Sequence, residues 1–239
     1  MINQPIQKSN LPNGIWKIIN IILFILYMKI ISLSSNEAGY ACAVASSIKK
    51  YYKNTTKTNF FDYLVVSIKS INQVLETNNM EILRSNFTIQ PTIDNLMEVK
   101  WLNYDKMISY HDLKKNDESH LENFKTKYVR RFIRILHDIY EEDVIFFIRY
   151  GELNIDELKK FYRILYLKNP KLTFFFIHVD YDEEQKYKLN EKYFQNYIYV
   201  NFYFINQKKN YHQDIYFRIL EYNWEFVFKI IENNYQYNS

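Results

Sequence analysis

The chain contains very little cysteine, glycine or proline. Of its 239 residues, one is Cys, three are Gly and four are Pro. A single cysteine excludes an intrachain disulfide framework and any zinc site built from several thiolates. The sequence also lacks a glycine-rich phosphate-binding loop and a metal-binding spacing of His, Cys, Asp and Glu, so it predicts no cofactor and no metal.

Charge of one sign is not concentrated in any part of the chain. The formal net charge is +4, and lysine and arginine are spread along the sequence beside aspartate and glutamate. Nucleic-acid binding favours a basic face with stacking aromatic side chains, so we expect no nucleic-acid partner. Aromatic residues reach 18%, and together with abundant Asn, Lys and Ile they indicate the codon drift of an A/T-rich genome. Single Tyr, Asn or Lys residues are therefore weak functional signals.

One apolar run, "IINIILFILY" at residues 18–27, lies near the N-terminus between Lys17 and Lys29. It is shorter than the roughly 20 residues of a transmembrane helix, and no small-residue signal cleavage site follows it. Three interpretations stay open: a dispensable extension with Met28 as the true start, a signal or membrane anchor, or a helix packed on the domain. We expect a cytoplasmic protein, membrane-associated only if this run acts as an anchor, with residues 1–27 outside the folded domain.

Apolar runs alternate with amphipathic segments from residue 28 onward, and residues 28–239 are predicted to form one domain. Strands are predicted at "KIISLS", "MISYHD", "DVIFFIR", "LTFFFIHVD" and "YIYVNFYFI". Helices are predicted over 41–53, 67–76, 121–140, 154–167 and 213–232, whereas most of 77–110 has no clear pattern. The alternation indicates an α/β fold with a mainly parallel sheet flanked by helices on both faces, in three layers.

Polar residues mark the predicted helix starts and one loop. Ser67 or Ser70 is expected to cap the helix that follows the apolar segment "NFFDYLVV". Asn154, with Glu157 three residues later, has the pattern of a capping box. The charged stretch "KKNDESH" at residues 114–120 is predicted to be a loop.

Parallel sheets bind ligands beyond the carboxyl ends of their strands. Here those ends carry a thiol, imidazoles, carboxylates and a guanidinium. They are found in the segment Ser34–Cys42, at His111 and Asp112, at Arg149, and at His178 with Asp180. We expect Arg149 either to bind a substrate carboxylate or phosphate or to pair with Glu152 or Asp180, because a buried charge needs a partner.

Six stretches carry a resemblance to a known family. In order they are "KIISLSSN", "CAVASSIKK", "NFFDYL", "YHD", "YVRRFIRIL" and "VIFFIR". The set resembles the motifs of an uncharacterised family named as papain-like cysteine peptidases, which occurs in bacteria and large DNA viruses. The resemblance covers about residues 29–180. It implies a cysteine-nucleophile hydrolase that acts on a peptide or a small acyl substrate.

The chain departs from that family at several positions. Ser34 stands where the family has Gly, Phe60 where it has Pro, and Tyr63 where it has Trp. Glu37 stands where the family usually has its cysteine, and Cys42 follows five positions later. Two interpretations stay open: the loop is longer here and Cys42 is the counterpart, or the nucleophile is lost.

The resemblance implies His111 as the catalytic base, because it matches the family's "HD" pair. His178 is the second choice, since its distance along the chain from the cysteine is closer to that in papain. Asp112 would point away from its neighbour His111 in an extended segment, so Asp62 is an alternative orienting residue.

A cysteine at a helix start gains from the exposed N–H groups and the dipole, which lower the thiol pKa from its ordinary value of about 8.5. In this reaction Asn36 and the helix-start amides would stabilise the oxyanion. Two other functions remain open: a catalytically degenerate binding module, which Glu37 favours, and an esterase-like enzyme with Ser34 or Ser35 as nucleophile. Cys42 would then be a small buried side chain, as free cysteines often are.

Overall fold

The computed structural model describes residues 29–36, 41–52, 57–77, 80–84, 86–92, 96–114, 118–180, 196–201 and 224–238. These residues form eight strands and six helices. The strands are β1 (Lys29–Ser35), β2 (Leu64–Val66), β3 (Phe87–Pro91), β4 (Leu96–Trp101), β5 (Met107–Lys114), β6 (Val144–Tyr150), β7 (Thr173–Asp180) and β8 (Tyr197–Asn201). The helices are α1 (Ala43–Tyr51), α2 (Ile68–Glu76), α3 (Glu81–Arg84), α4 (Glu118–Glu141), α5 (Ile155–Lys168) and α6 (Trp224–Asn238).

The strands form one sheet in the order β3-β4-β5-β2-β1-β6-β7-β8. The five strands from β2 to β8 in this order are parallel to one another. β5, β4 and β3 extend the sheet beyond β2 as an antiparallel meander. The predicted fold class is confirmed: a single α/β domain whose sheet is mainly parallel.

Helices cover both faces of the sheet. The face that carries Ile145 and Phe147 packs against α2, α4 and α5, and the face that carries Phe146 and Ile148 packs against α1 and α6. Successive residues of β6 alternate between these two clusters because side chains along a strand point to opposite faces. Burial on both faces explains why β6 and β7 appear in the sequence as continuous apolar runs.

Most predicted elements are confirmed, and the differences have local causes. The unpatterned stretch 77–110 contains α3, which has only four residues, and the β3–β4 hairpin. β3 has no buried residue and so gives little apolar signal, whereas β4 buries Val99 and Trp101. The predicted loop "KKNDESH" is wrong in its last part, because α4 already begins at Glu118. Of the predicted closing helix, residues 213–223 lie outside the described residues, and α6 begins at Trp224.

The cap predictions hold for two helices. The Ser67 hydroxyl accepts from the Ser70 amide at 3.1 Å, and the Asn154 side chain accepts from the amides of Asp156 and Glu157. The Glu157 carboxylate accepts instead from the Asn72 amide nitrogen at 2.8 Å, so it joins α5 to α2 rather than closing a capping box.

Within the part of the chain that the structure describes, no helix is both long and apolar enough to cross a membrane. The apolar run at residues 18–27 lies outside the described residues.

Candidate functional site

The neighbouring strands β1 and β6 are followed by connections that diverge to opposite faces of the sheet. The chain leaves β1 towards α1 on one face of the sheet and leaves β6 towards α5 on the other. In open α/β sheets, ligands bind beyond the carboxyl ends of the two strands at which such connections diverge. We call this region the β1/β6 edge and define it by Ser34–Asn36, Cys42, Arg149 and Gly151–Glu152.

β1 ends in a bulge at Ser34. Its pairing with β6 is regular up to Ser32 and shifts before Ser35. Ser34 has a φ of 53°, in the left-handed region that glycine adopts most easily. Its buried hydroxyl lies 2.7 Å from the Ala41 carbonyl oxygen and 2.5 Å from that of Leu64. The bulge thereby connects the end of β1 both to the turn before α1 and to β2.

Cys42 lies immediately before the first helical residue of α1, and its side chain is half-buried. It makes no side-chain capping hydrogen bond, and the first turn of α1 contains no acidic residue. The helices after β2 and β6 are capped by Ser67 and Asn154. The start of α1 therefore presents amides without a side-chain cap and the positive end of the helix dipole, which favours a negative charge.

His178 is fully buried, and both of its ring nitrogens are engaged. Nε2 lies 2.6 Å from the Gly151 carbonyl oxygen, and Nδ1 lies 2.7 Å from the Tyr197 hydroxyl. A carbonyl can only accept, so Nε2 carries the proton and Nδ1 accepts from Tyr197. Burial, reinforced by the charge of Arg149, lowers the pKa of His178 to about 4 despite the Gly151 bond. His178 therefore joins β7 to the β6–α5 loop and to β8 as a neutral structural side chain.

The expectation that His111 and Asp112 end a strand at the β1/β6 edge is wrong. β5 runs antiparallel to β2, with Met107 opposite Val66, so β5 leads away from the carboxyl ends of the parallel strands. β5 also has two more residues than β4 between Ser109 and Leu113, which places His111 in a bulge. The side chain of His111 lies outside the described residues.

Asp112 binds helix α4. Its carboxylate lies 2.6 Å from Lys127 Nζ and 3.2 Å from Arg131 Nη1, and it accepts from the Tyr128 hydroxyl at 2.5 Å. Burial by itself raises the pKa of Asp112, but the bonds from Lys127 and Tyr128 outweigh it and lower the pKa below its ordinary value. These contacts account for Asp112 as a carboxylate that attaches β5 to α4.

Arg149 lies at the β1/β6 edge but is completely buried. Nη1 donates to the Leu33 carbonyl and Nη2 to the Val66 carbonyl, both at 3.0 Å, so its side chain connects β6 to β1 and β2. Nε has no hydrogen-bond partner among the described residues. Burial lowers the pKa of Arg149 to about 10, and Glu152 opposes this shift through its charge. The guanidinium remains a buried cation whose hydrogen bonds go to neutral carbonyls.

The remaining predicted residues lie at two different strand ends. The Asn36 amide nitrogen lies 3.4 Å from Glu152 Oε2, which links the loop after β1 to the loop after β6. Asn36 Oδ1 is buried, with no hydrogen-bond partner in the described part of the chain. Asp180 ends β7 in register with Asn201 of β8, two strands away from β1.

Asp62 is buried and belongs to a polar cluster that the sequence did not predict. Its carboxylate accepts from the Asn59 backbone amide at 3.0 Å and from the Asn59 side chain at 2.7 Å. Lys49 Nζ lies 3.8 Å from it and also donates to Thr58 Oγ1 and Tyr63 Oη. In the sequence, only its place in the stretch "CAVASSIKK" pointed to Lys49. No local pattern predicted that it lies beside Asp62.

Charged residues of the quoted stretches bind groups that belong to other quoted stretches. Arg149 of "VIFFIR" binds the Leu33 carbonyl of "KIISLSSN", and Arg131 of "YVRRFIRIL" binds Asp112 of "YHD". Lys49 of "CAVASSIKK" lies beside Asp62 of "NFFDYL". In the described residues, these groups connect elements of the fold instead of converging on Cys42.

Neither known proteins nor a metal-binding group identifies the site further. No protein-family model, curated protein or solved structure matches this chain. Among the described residues, no group of three or more His, Cys, Asp and Glu side chains could hold a metal ion. The fold and the geometry of the β1/β6 edge therefore define the class of protein: an open α/β domain with its candidate site at the carboxyl ends of two central strands.

Proposed function

We propose that the protein is a non-catalytic binding domain that binds a small anion, a carboxylate or a phosphate, at the β1/β6 edge. The observation that carries the proposal is the state of His178, the one imidazole on the described parallel strands. Both of its nitrogens are engaged, and burial keeps its pKa near 4. It is therefore unsuited to act as a general base near neutral pH.

Two features of the β1/β6 edge favour an anionic ligand. Within the described residues, the start of α1 has no side-chain cap, and its first turn contains no acidic residue. Helix starts bind anions through their first backbone amides and the helix dipole. Arg149 adds a buried positive charge whose hydrogen-bonding partners are uncharged, at the ends of the same strands.

Inorganic phosphate and citrate are suitable probes, with two substitutions at Cys42 as a matched pair. Cys42→Ala leaves the α1 amides uncapped, so its thermal unfolding midpoint should rise with added anion as much as that of the wild type. Cys42→Asp places a negative charge at the positive end of the helix dipole, so it should abolish the rise while stabilising the helix by about 0.5–1 kcal/mol. Equal responses in all three proteins, or no response in the wild type, would contradict the proposal.

A second function, the cysteine hydrolase, is favoured by the place of Cys42 immediately before the first helical residue of α1, since a helix start stabilises a thiolate. In that reaction the Cys42 thiolate attacks a carbonyl carbon, the leaving group takes a proton from water, and a second water hydrolyses the thioester to the acid and the free thiol. Iodoacetamide labelling of Cys42 across pH separates the two functions. Half-maximal labelling below about pH 7.5 supports the hydrolase, and labelling only above about pH 8 supports the binding domain.

A further inference from the structure

A buried carboxylate is connected to the start of α1 by a chain of hydrogen bonds. Asp62 lies between α1 and β2 with 2% of its surface exposed. The Ser32 hydroxyl donates to its carboxylate, and the Ser34 amide donates to Ser32 Oγ at 3.1 Å. The Ser34 hydroxyl then reaches the carbonyl of Ala41, the residue before Cys42. Apart from Asp62, every link of this chain lies in the bulge of β1 or in the turn that follows it.

The charged groups around Asp62 compensate its charge only in part. Lys49 on α1 is 3.8 Å away and shares its donors with Thr58 and Tyr63. Arg131 on α4 lowers the pKa of Asp62 only through its charge, and it forms an ion pair with Asp112. Burial outweighs these groups, together with the bonds from Asn59 and Ser32, and raises the pKa of Asp62 to about 6. The carboxyl group therefore titrates close to the physiological range.

Protonation of Asp62 would reverse the direction of this chain. The ionised carboxylate accepts from Ser32, which leaves Ser32 Oγ free to accept from the Ser34 amide. Both carboxylate oxygens already accept from Asn59, so an added proton has Ser32 Oγ as its available acceptor. The hydrogen of the Ser32 hydroxyl must then rotate away from Asp62, and a bond between neutral groups replaces the stronger bond to the carboxylate. Ser32 Oγ is then held less firmly, so its support for the Ser34 bulge weakens.

We propose that Asp62 is a positioning residue whose protonation state controls how firmly the bulge holds the start of α1, and with it the reactivity of Cys42. The inference is independent of whether the β1/β6 edge binds a ligand, because its readout is the thiol itself. Cys42 is the only cysteine of the chain, so a thiol reagent reports on this site alone.

The test is the rate of Cys42 modification by 4,4′-dithiodipyridine from pH 4.5 to pH 8 on the full chain. At pH values where Asp62 is protonated, the wild type should react about fivefold faster than its thiolate fraction alone predicts. This excess rate should disappear in a step centred near pH 6, where Asp62 loses its proton. Asp62→Asn should abolish this step. Asp156→Asn, which removes an exposed carboxylate of α5 outside the chain of hydrogen bonds, should keep it.

Ser34→Gly provides a second test if Asp62→Asn does not fold. It allows the left-handed backbone and removes the side chain whose hydroxyl reaches Ala41, so the step should vanish although Asp62 still titrates. A smooth wild-type profile would overturn the inference. So would a step that survives in Asp62→Asn, or in Ser34→Gly, since a histidine would then be its source.

Discussion

Ser34 combines an unfavourable backbone conformation with favourable side-chain contacts. A φ of 53° costs a non-glycine residue about 1 kcal/mol, because its Cβ approaches the neighbouring carbonyl. The hydroxyl offsets that cost by reaching the carbonyls of Ala41 and Leu64 inside the protein. The resembling family has Gly at this position, which would give the conformation without the contacts.

Two substitutions at Ser34 separate these effects. Ser34→Ala should lower the free energy of unfolding by about 2 kcal/mol, because the buried carbonyls of Ala41 and Leu64 lose the single donor that they share and the backbone cost remains. Ser34→Gly loses the same donor but relieves the backbone, so it should be about 1 kcal/mol more stable than Ser34→Ala. Urea unfolding of the three proteins measures both differences. An alanine variant as stable as the glycine variant would contradict the assignment of strain.

At the scale of elements, polar side chains connect neighbouring helices and strands. Asp112 connects β5 to α4, and Asn72 connects α2 to the first turn of α5. The helices that carry these contacts pack on the same face of the sheet. Polar contacts of this kind determine the positions of neighbouring helices over an otherwise apolar interface.

Asp112 and Arg131 should be strongly coupled in stability. Asp112→Asn should cost about 3 kcal/mol, because Arg131 and Lys127 lose a largely buried anionic partner. In a double-mutant cycle with Arg131→Met, the coupling energy measured by urea unfolding should be about 1–3 kcal/mol. A control cycle between Asp112 and the distant exposed residue Lys159 should give no coupling beyond about 0.5 kcal/mol. Additive effects in the first cycle would show that the pair makes no net contribution.

At the scale of the whole molecule, three buried ionisable groups lie on the central strands or next to them. Arg149 connects β6 to β1 and β2, His178 connects β7 to its neighbours, and Asp62 supports the end of β1. The pKa of His178 and that of Asp62 are shifted in opposite directions, to about 4 and about 6. Their effects on the pH dependence of stability therefore oppose each other.

The free energy of unfolding measures these opposing effects from pH 4 to pH 7. The unfolded chain protonates His178 below about 6.5 but the folded chain only below about 4, so its contribution is present at neutral pH and is lost on acidification. The difference in the free energy of unfolding between wild type and His178→Gln should shrink by about 3 kcal/mol as pH falls.

Asp62 keeps its proton up to about pH 6 in the folded protein, so its contribution to stability is lost as pH rises through that value. Asp62→Asn should therefore gain stability relative to wild type towards pH 7, and a constant difference would contradict the assigned pKa of either residue.

The sequence by itself determined which segments form strands and helices and therefore the fold class. Apolar runs at β6 and β7, the apolar face of α4 and the caps Ser67 and Asn154 are local patterns, and each is confirmed. These signals are readable because they depend on residues only a few positions apart. The resemblance to cysteine peptidases and the role of Cys42 are not tested by the fold and stay predictions.

Only the tertiary structure decided the direction of β5 and the partners of the buried charges. An antiparallel β5 takes His111 and Asp112 away from the strand ends, and no local pattern distinguishes it from a parallel strand. Arg149 binds backbone carbonyls of two other strands, and His178 binds a backbone carbonyl and a tyrosine of the next strand. Strand order and burial determine these partners, because both depend on contacts between residues that are distant in the sequence.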